Sequence, residues 1–231
     1  MVIHGLQKLT LLDFPGHTAC TVFTGACNWR CPFCHNASLV LEPDGQPVIA
    51  EEEFFSFLES RRGLLDGVAV TGGEPTLQRD LPEFLRRVRS LGFSVKLDTN
   101  GTDPAMLRRI LEEGLADYVA MDIKACRERY SVVTGVSNCR LEAVEESADM
   151  LLHGATDFEF RTTVVRELHS DADFRRIGQW LEGDEKYFLQ AFKDSGDLLS
   201  SGMSGCTIEE MERFRKTVLP WIPGAALRGV N

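Results

Sequence analysis

The feature that most constrains this chain is a regular alternation of short apolar runs with segments of helical periodicity. Runs rich in β-branched and aromatic residues occupy 20–24, 68–71, 93–99, 118–123, 158–165 and 186–192. Helical spacing of apolar positions marks 51–62, 80–91, 104–113, 141–154, 171–181 and 208–218. Strands that alternate with helices of this length imply an α/β fold with parallel strands and right-handed crossovers. With 231 residues, a partial barrel of six β/α units fits better than a closed eightfold one; a flat doubly wound sheet is the alternative. The first fifteen residues read as a short strand or hairpin ending in an Asp13-Phe14-Pro15-Gly16 turn. No linker or repeat divides the chain, so 1–231 reads as one domain, with 15–195 as the partial barrel and 196–231 as a C-terminal extension of unassigned role.

In such folds chemistry gathers at the carboxyl ends of the strands. The unusual residues fall there. Cys27, Cys31 and Cys34 follow the first run, Gly72-Gly73-Glu74-Pro75 the second, Asp98-Thr99-Asn100-Gly101 the third, and Asp122 and Lys124 end the fourth. Burying Asp98 or Asp122 without a partner would be costly, and Lys124 pairing with one of them is the plainer reading of that lysine. Glu74, held between a glycine pair and a proline, has a solvated loop glutamate as its plainer reading.

Composition narrows the partners. The net charge of −10 disfavours nonspecific binding to nucleic acid or anionic membrane. No apolar stretch is long enough to span a bilayer and no export signal opens the chain, so a cytoplasmic location is expected. Seven cysteines in that compartment point to ligation rather than disulfides, because three of them fall within eight positions.

Thiolates are soft ligands for zinc, copper(I) or iron–sulfur clusters. A structural zinc site is closed by four protein ligands, whereas this cluster has three, and His35 is awkwardly placed beside Cys34 to be the fourth. Three thiolates leave one iron of a cubane open to an outside ligand. Cys20 reads as a small core residue, and Cys126, Cys139 and Cys206, spaced by 13 and 67 residues, as independent structural or surface thiols. Trp29 and Arg30, between the ligands, read either as a shield or partner contact for the cluster or as surface packing.

The C-x3-C-x2-C spacing, with Phe33 before the last cysteine and a Gly-Gly-Glu segment downstream, resembles the signature of the radical S-adenosylmethionine (SAM) enzymes. The stretch from Leu6 to Asn36, together with 71–78 and Met121-Asp122-Ile123-Lys124, resembles the activating proteins of anaerobic ribonucleoside-triphosphate reductase and other glycyl radical enzyme activases. The resemblance extends to about Phe192. It implies a [4Fe–4S] cluster held by Cys27, Cys31 and Cys34, with SAM on the open iron. Phe33 would lie against the adenine, and Gly72, Gly73 and Glu74 would hold the methionine amino group. Asp98 and Asp122 would serve the cofactor and a monovalent cation, Lys124 the cofactor's carboxylate, and Asn100 its polar atoms, with His35 and Arg161 as further candidates. The implied activity is reductive cleavage of SAM and hydrogen abstraction from a glycine of a partner, the anaerobic reductase, with flavodoxin or ferredoxin as electron donor. The alternatives are a radical enzyme acting on a small metabolite or nucleoside, a non-catalytic iron–sulfur electron-transfer protein, and a zinc-stabilised binding protein.

Overall fold

The computed structural model describes residues 1–194 and 196–230. Ser195, where the expected barrel ends, and Asn231 lie outside the described residues. The strands are β1 (Ile3–Thr10), β2 (Ala19–Thr24), β3 (Gly67–Gly72), β4 (Ser94–Thr99), β5 (Tyr118–Asp122), β6 (Asp157–Val164), β7 (Tyr187–Ala191) and β8 (Ala226–Arg228). The helices are α1 (Ala37–Leu41), α2 (Glu51–Ser60), α3 (Leu81–Ser90), α4 (Pro104–Glu112), α5 (Tyr130–Thr134), α6 (Leu141–Leu152), α7 (Asp171–Trp180) and α8 (Ile208–Val218). The strands follow one another in the sheet in sequence order. β1 runs antiparallel to β2, whereas β2–β3, β3–β4, β6–β7 and β7–β8 are parallel. The expected α/β fold is therefore present, and the amino-terminal segment is the first arm of a hairpin.

Two compact units divide the chain. The first comprises Met1–Asn28, Ser38–Thr99 and Asp103–Ala120. Its core is set by the spacing of apolar residues on two helices. Phe54, Phe55 and Leu58 of α2 and Leu81, Phe84, Leu85 and Val88 of α3 recur every three or four positions and are buried. Phe54 and Phe84 stack at 5.3 Å, with Phe55 set edge-on to Phe54 at 5.1 Å. Arg87 covers this cluster, its guanidinium 3.8 Å from the Phe55 ring centre and bonded through both terminal nitrogens to Glu52 at 2.7 Å.

The second unit comprises Trp29–Ala37, Asn100–Thr102 and Met121–Asn231. Its helices start where capping chemistry dictates: capping boxes, Ser170 with Asp173 and Thr207 with Glu210, open α7 and α8. These helices pack through a stacked Phe174–Phe214 pair at 4.7 Å. The C-terminal extension acquires a role here. It supplies α8 and a strand, β8, that pairs with β7. Arg228 of β8 makes a two-pronged bond, 2.7 and 2.9 Å, to the buried Glu159 of β6 and stacks on Phe188 at 3.8 Å. Trp29 corrects its reading as surface packing: it is 2% exposed, edge-on to Tyr130 at 5.6 Å with Nε1 donating to the Cys139 carbonyl at 3.2 Å.

Candidate functional site

In the first unit the Gly-Gly-Glu segment closes onto the end of β2. Gly73 N–H donates to the Thr24 carbonyl and Glu74 N–H to the Ala26 carbonyl, both at 2.8 Å. A Cβ on Gly72, whose φ is +117°, would stand 2.3 Å from the Thr24 oxygen, and one on Gly73 would stand 1.8 Å from that of Ala26. Only glycine permits this backbone contact. Ala26 itself holds φ at +65°, which costs an alanine about 1–2 kcal/mol and turns the chain into Cys27.

Glu74 is 1% exposed, which overturns its reading as a solvated loop residue. Its Oε1 accepts from Thr76 N–H at 3.1 Å, Thr76 Oγ1 at 2.5 Å and, from the end of β4, Thr99 Oγ1 at 2.8 Å. Thr99 escapes sequence reasoning although it adjoins Asp98. The Asp98 carboxylate forms an ion pair with Lys96, a lysine buried to 2% exposure. A strand-end carboxylate so placed needs a cation, and the sequence supplies one two residues back on the same face.

In the second unit the charged residues come together. Asp122 lies between Lys124 Nζ at 2.9 Å and Arg161 Nε at 2.7 Å, so the lysine makes the ion pair that is its plainer reading. Burial alone would raise the Asp122 pKa, but Arg161 and Lys124 outweigh it and hold the carboxyl well below the usual carboxylate range. Burial would likewise lower Lys124, and Asp122, with the Cys31 thiol, drives it above the ordinary lysine value. Lys124 Nζ also sits 5.9 Å from the centre of the buried Phe33 ring. The Asn100 side-chain oxygen accepts from Thr102 N–H at 3.0 Å and Thr102 Oγ1 at 2.6 Å, which fastens the loop after β4.

Cys31 is buried, and Cys34 is shielded enough that burial raises its pKa, against the pull of the Asn36 backbone and Lys124. His35 stacks on Phe192 at 5.3 Å, and its Nε2 is buried with no hydrogen-bond partner. All seven cysteines are free thiols. Of the other four, Cys20 is fully buried as a core residue and Cys126 bonds Asp173 at 3.0 Å, where burial lifts its pKa to about 11. Among the described residues no group of three or more His, Cys, Asp or Glu side chains is positioned to hold a metal ion, so the ligand role of Cys27, Cys31 and Cys34 rests on their spacing. No helix among the described residues is long and apolar enough to cross a membrane.

A mostly parallel α/β sheet with thiols, a glycine pair and buried charges at its strand ends defines the class: an α/β protein whose chemistry-bearing residues sit at the carboxyl ends of its strands. The model of the Radical SAM superfamily matches residues 21–179, and the chain belongs to that family. Membership makes it an enzyme and implies a [4Fe–4S] cluster and SAM. A relative in Methanocaldococcus jannaschii, named provisionally as a glycyl-radical enzyme activating enzyme, is 28% identical over 239 residues, covering 100% of this chain and 97% of its own. A Pyrococcus abyssi protein, named provisionally as a GTP 3′,8-cyclase, is 34% identical over 115 residues, covering 48% of this chain and only 36% of its own. The solved structure of Streptococcus suis SuiB bound to its precursor peptide SuiA shares the fold, with a TM-score of 0.71 at 13% identity over 90% of this chain and 48% of that one.

Proposed function

We propose that this chain is a glycyl radical enzyme activase, with anaerobic ribonucleoside-triphosphate reductase as its partner and flavodoxin or ferredoxin as its electron donor, working in the cytoplasm as one catalytic domain. The observation that carries this reading is the similarity to the M. jannaschii protein, which extends over the whole of both chains. The donor set suits the cluster: three soft sulfur ligands after β2, none in a disulfide, with a buried and unpartnered imidazole nitrogen next to Cys34. Cys27, Cys31 and Cys34 would each hold one iron. When bound, the reduced cluster supplies the electron that splits SAM into methionine and a 5′-deoxyadenosyl radical, which takes hydrogen from the partner's glycine.

The chain's own residues bind and orient. Gly72, Gly73 and Glu74 receive the methionine amino group, and Glu74 is pre-oriented by Thr76 and Thr99. Lys124, held by Asp122, presents its ammonium to the cofactor's carboxylate, with Arg161 reinforcing the same carboxylate of Asp122. Phe33 flanks the adenine, and Asn100 and His35 serve the cofactor's polar atoms. Asp98 and Asp122 serve the cofactor and a monovalent cation.

The test is anaerobic incubation with reductant, SAM and candidate glycyl radical enzymes, followed by electron paramagnetic resonance. A glycyl doublet on the reductase is expected. Cleavage of SAM with no protein radical on any candidate would instead favour a small metabolite or nucleoside substrate, the reading to which the partial match to the P. abyssi protein points. Cys31→Ala should fold yet form no 5′-deoxyadenosine; product from that variant would refute the cluster ligands.

A further inference from the structure

The two residues that follow β5, Ile123 and Lys124, have all four of their backbone polar groups hydrogen-bonded. Ile123 N–H donates to the Arg161 carbonyl at 2.9 Å, and the Ile123 carbonyl accepts from Thr162 Oγ1 at 2.6 Å. Lys124 N–H donates to the Tyr130 hydroxyl at 3.2 Å, and the Lys124 carbonyl lies 2.9 Å from Nε2 of His169. A carbonyl can only accept, so Nε2 carries the proton. Nδ1 lies 3.1 Å from the Val165 amide nitrogen and 3.2 Å from the Val165 carbonyl oxygen, and in the neutral ring with Nε2 protonated it accepts from the Val165 N–H. His169 is 5% exposed, and burial lowers its pKa, so the ring stays neutral around pH 7. It therefore ties the loop after β5 to the loop after β6 through both ring nitrogens.

We infer that His169 is a positioning residue for SAM binding, acting through Lys124. This rests on the assignment of Lys124 to the cofactor's carboxylate. The lysine side chain spans from its backbone to Asp122 Oδ2 and to 5.9 Å from the centre of the Phe33 ring, so the place of its ammonium follows from where its backbone is pinned. Tyr130 pins the amide and His169 the carbonyl, and neither carries a charge that would reach the cofactor itself. Removing the imidazole leaves a buried carbonyl without its donor and lets residue 124 shift. A glutamine keeps an N–H donor at similar reach.

The experiment uses reconstituted holoenzyme under anaerobic conditions and isotopically labelled SAM in equilibrium dialysis, alongside KM and kcat for SAM cleavage. His169→Ala should weaken SAM binding and raise its KM about tenfold with a smaller change in kcat, and His169→Gln should recover affinity to within about threefold of the parent. The decisive arm is the double variant: in a Lys124→Ala background, His169→Ala should add less than about a twofold loss. A tenfold loss that persists in that background would overturn the inference, since His169 would then act elsewhere. Failure of the underlying assignment is separable, because Lys124→Ala alone would then leave SAM affinity unchanged. Should His169→Ala not fold, nitrogen-15 spectra of labelled histidines in the parent protein decide the geometry. Protonated Nε2 with bare Nδ1 at neutral pH is expected, and the opposite tautomer would refute it.

Discussion

Replacing Gly73 with alanine places a methyl carbon where the Ala26 carbonyl oxygen already stands, at 1.8 Å. Ordinary carbon–oxygen contact begins near 3.4 Å, so the two backbones must part by roughly 1.5 Å. Neither is a flexible side chain that can step aside. The separation breaks the 2.8 Å bonds from Gly73 to Thr24 and from Glu74 to Ala26, at roughly 1 kcal/mol each. Residual overpacking adds about 1–3 kcal/mol, for a total of about 3–5 kcal/mol. At the two to four degrees per kcal/mol typical of a domain this size, Tm should fall by roughly 6–20 °C. The assay is thermal unfolding followed by circular dichroism, with Gly45→Ala as control. At Gly45 an added Cβ meets nothing nearer than Glu42 Cβ at 4.0 Å, and Tm should move by less than about 2 °C. A Gly73→Ala protein with a Tm within about 3 °C of the parent would refute the reasoning.

Three other outcomes follow from buried and half-buried charges. Asp184 is 2% exposed with Oδ2 unpartnered, and burial lifts its pKa to about 6. An acid whose folded pKa is raised destabilises the fold progressively as pH climbs past its unfolded value and through 6, so Asp184→Asn should gain roughly 1–3 kcal/mol in urea unfolding at pH 7.5 and nothing at pH 4. Asp122→Asn removes the carboxylate charge that Lys124 and Arg161 share and should cost about 2–4 kcal/mol near neutral pH. Because the folded pKa of Asp122 is depressed, its contribution is complete above the unfolded value near 4 and fades as pH falls toward the folded one; the same urea series at pH 7 and pH 3 should show the deficit shrinking. Arg228→Ala leaves the Glu159 carboxylate buried without its two-pronged partner and should cost about 2–4 kcal/mol, read as a lower urea midpoint.

What the sequence displays follows from the range over which each interaction acts. Helices α2 and α3 are legible because burial repeats every three or four residues across ten positions. Strand β8 is not, because three residues carry no period, and α5 is hidden for the same reason with five. The Asp122–Lys124 pair is readable because residues two apart on a strand share a face, and Asp98 with Lys96 obeys the same rule in the first unit. The residues that hold those charged groups in place leave no such trace. Thr99 reaches Glu74 across 25 positions, and His169 reaches the Lys124 carbonyl across 45. Both bonds end on an oxygen that any threonine or histidine could equally have met. Local chemistry thus points to the side chains proposed to bind a cluster and its cofactor, whereas the donors that fix Glu74 and Lys124 are brought near only by the folded chain. Affinity for SAM should accordingly respond to Thr99 and His169 and not only to residues with a recognisable motif, and a Thr99→Val variant that lost none of the affinity for SAM would show that the orientation of Glu74 does not matter.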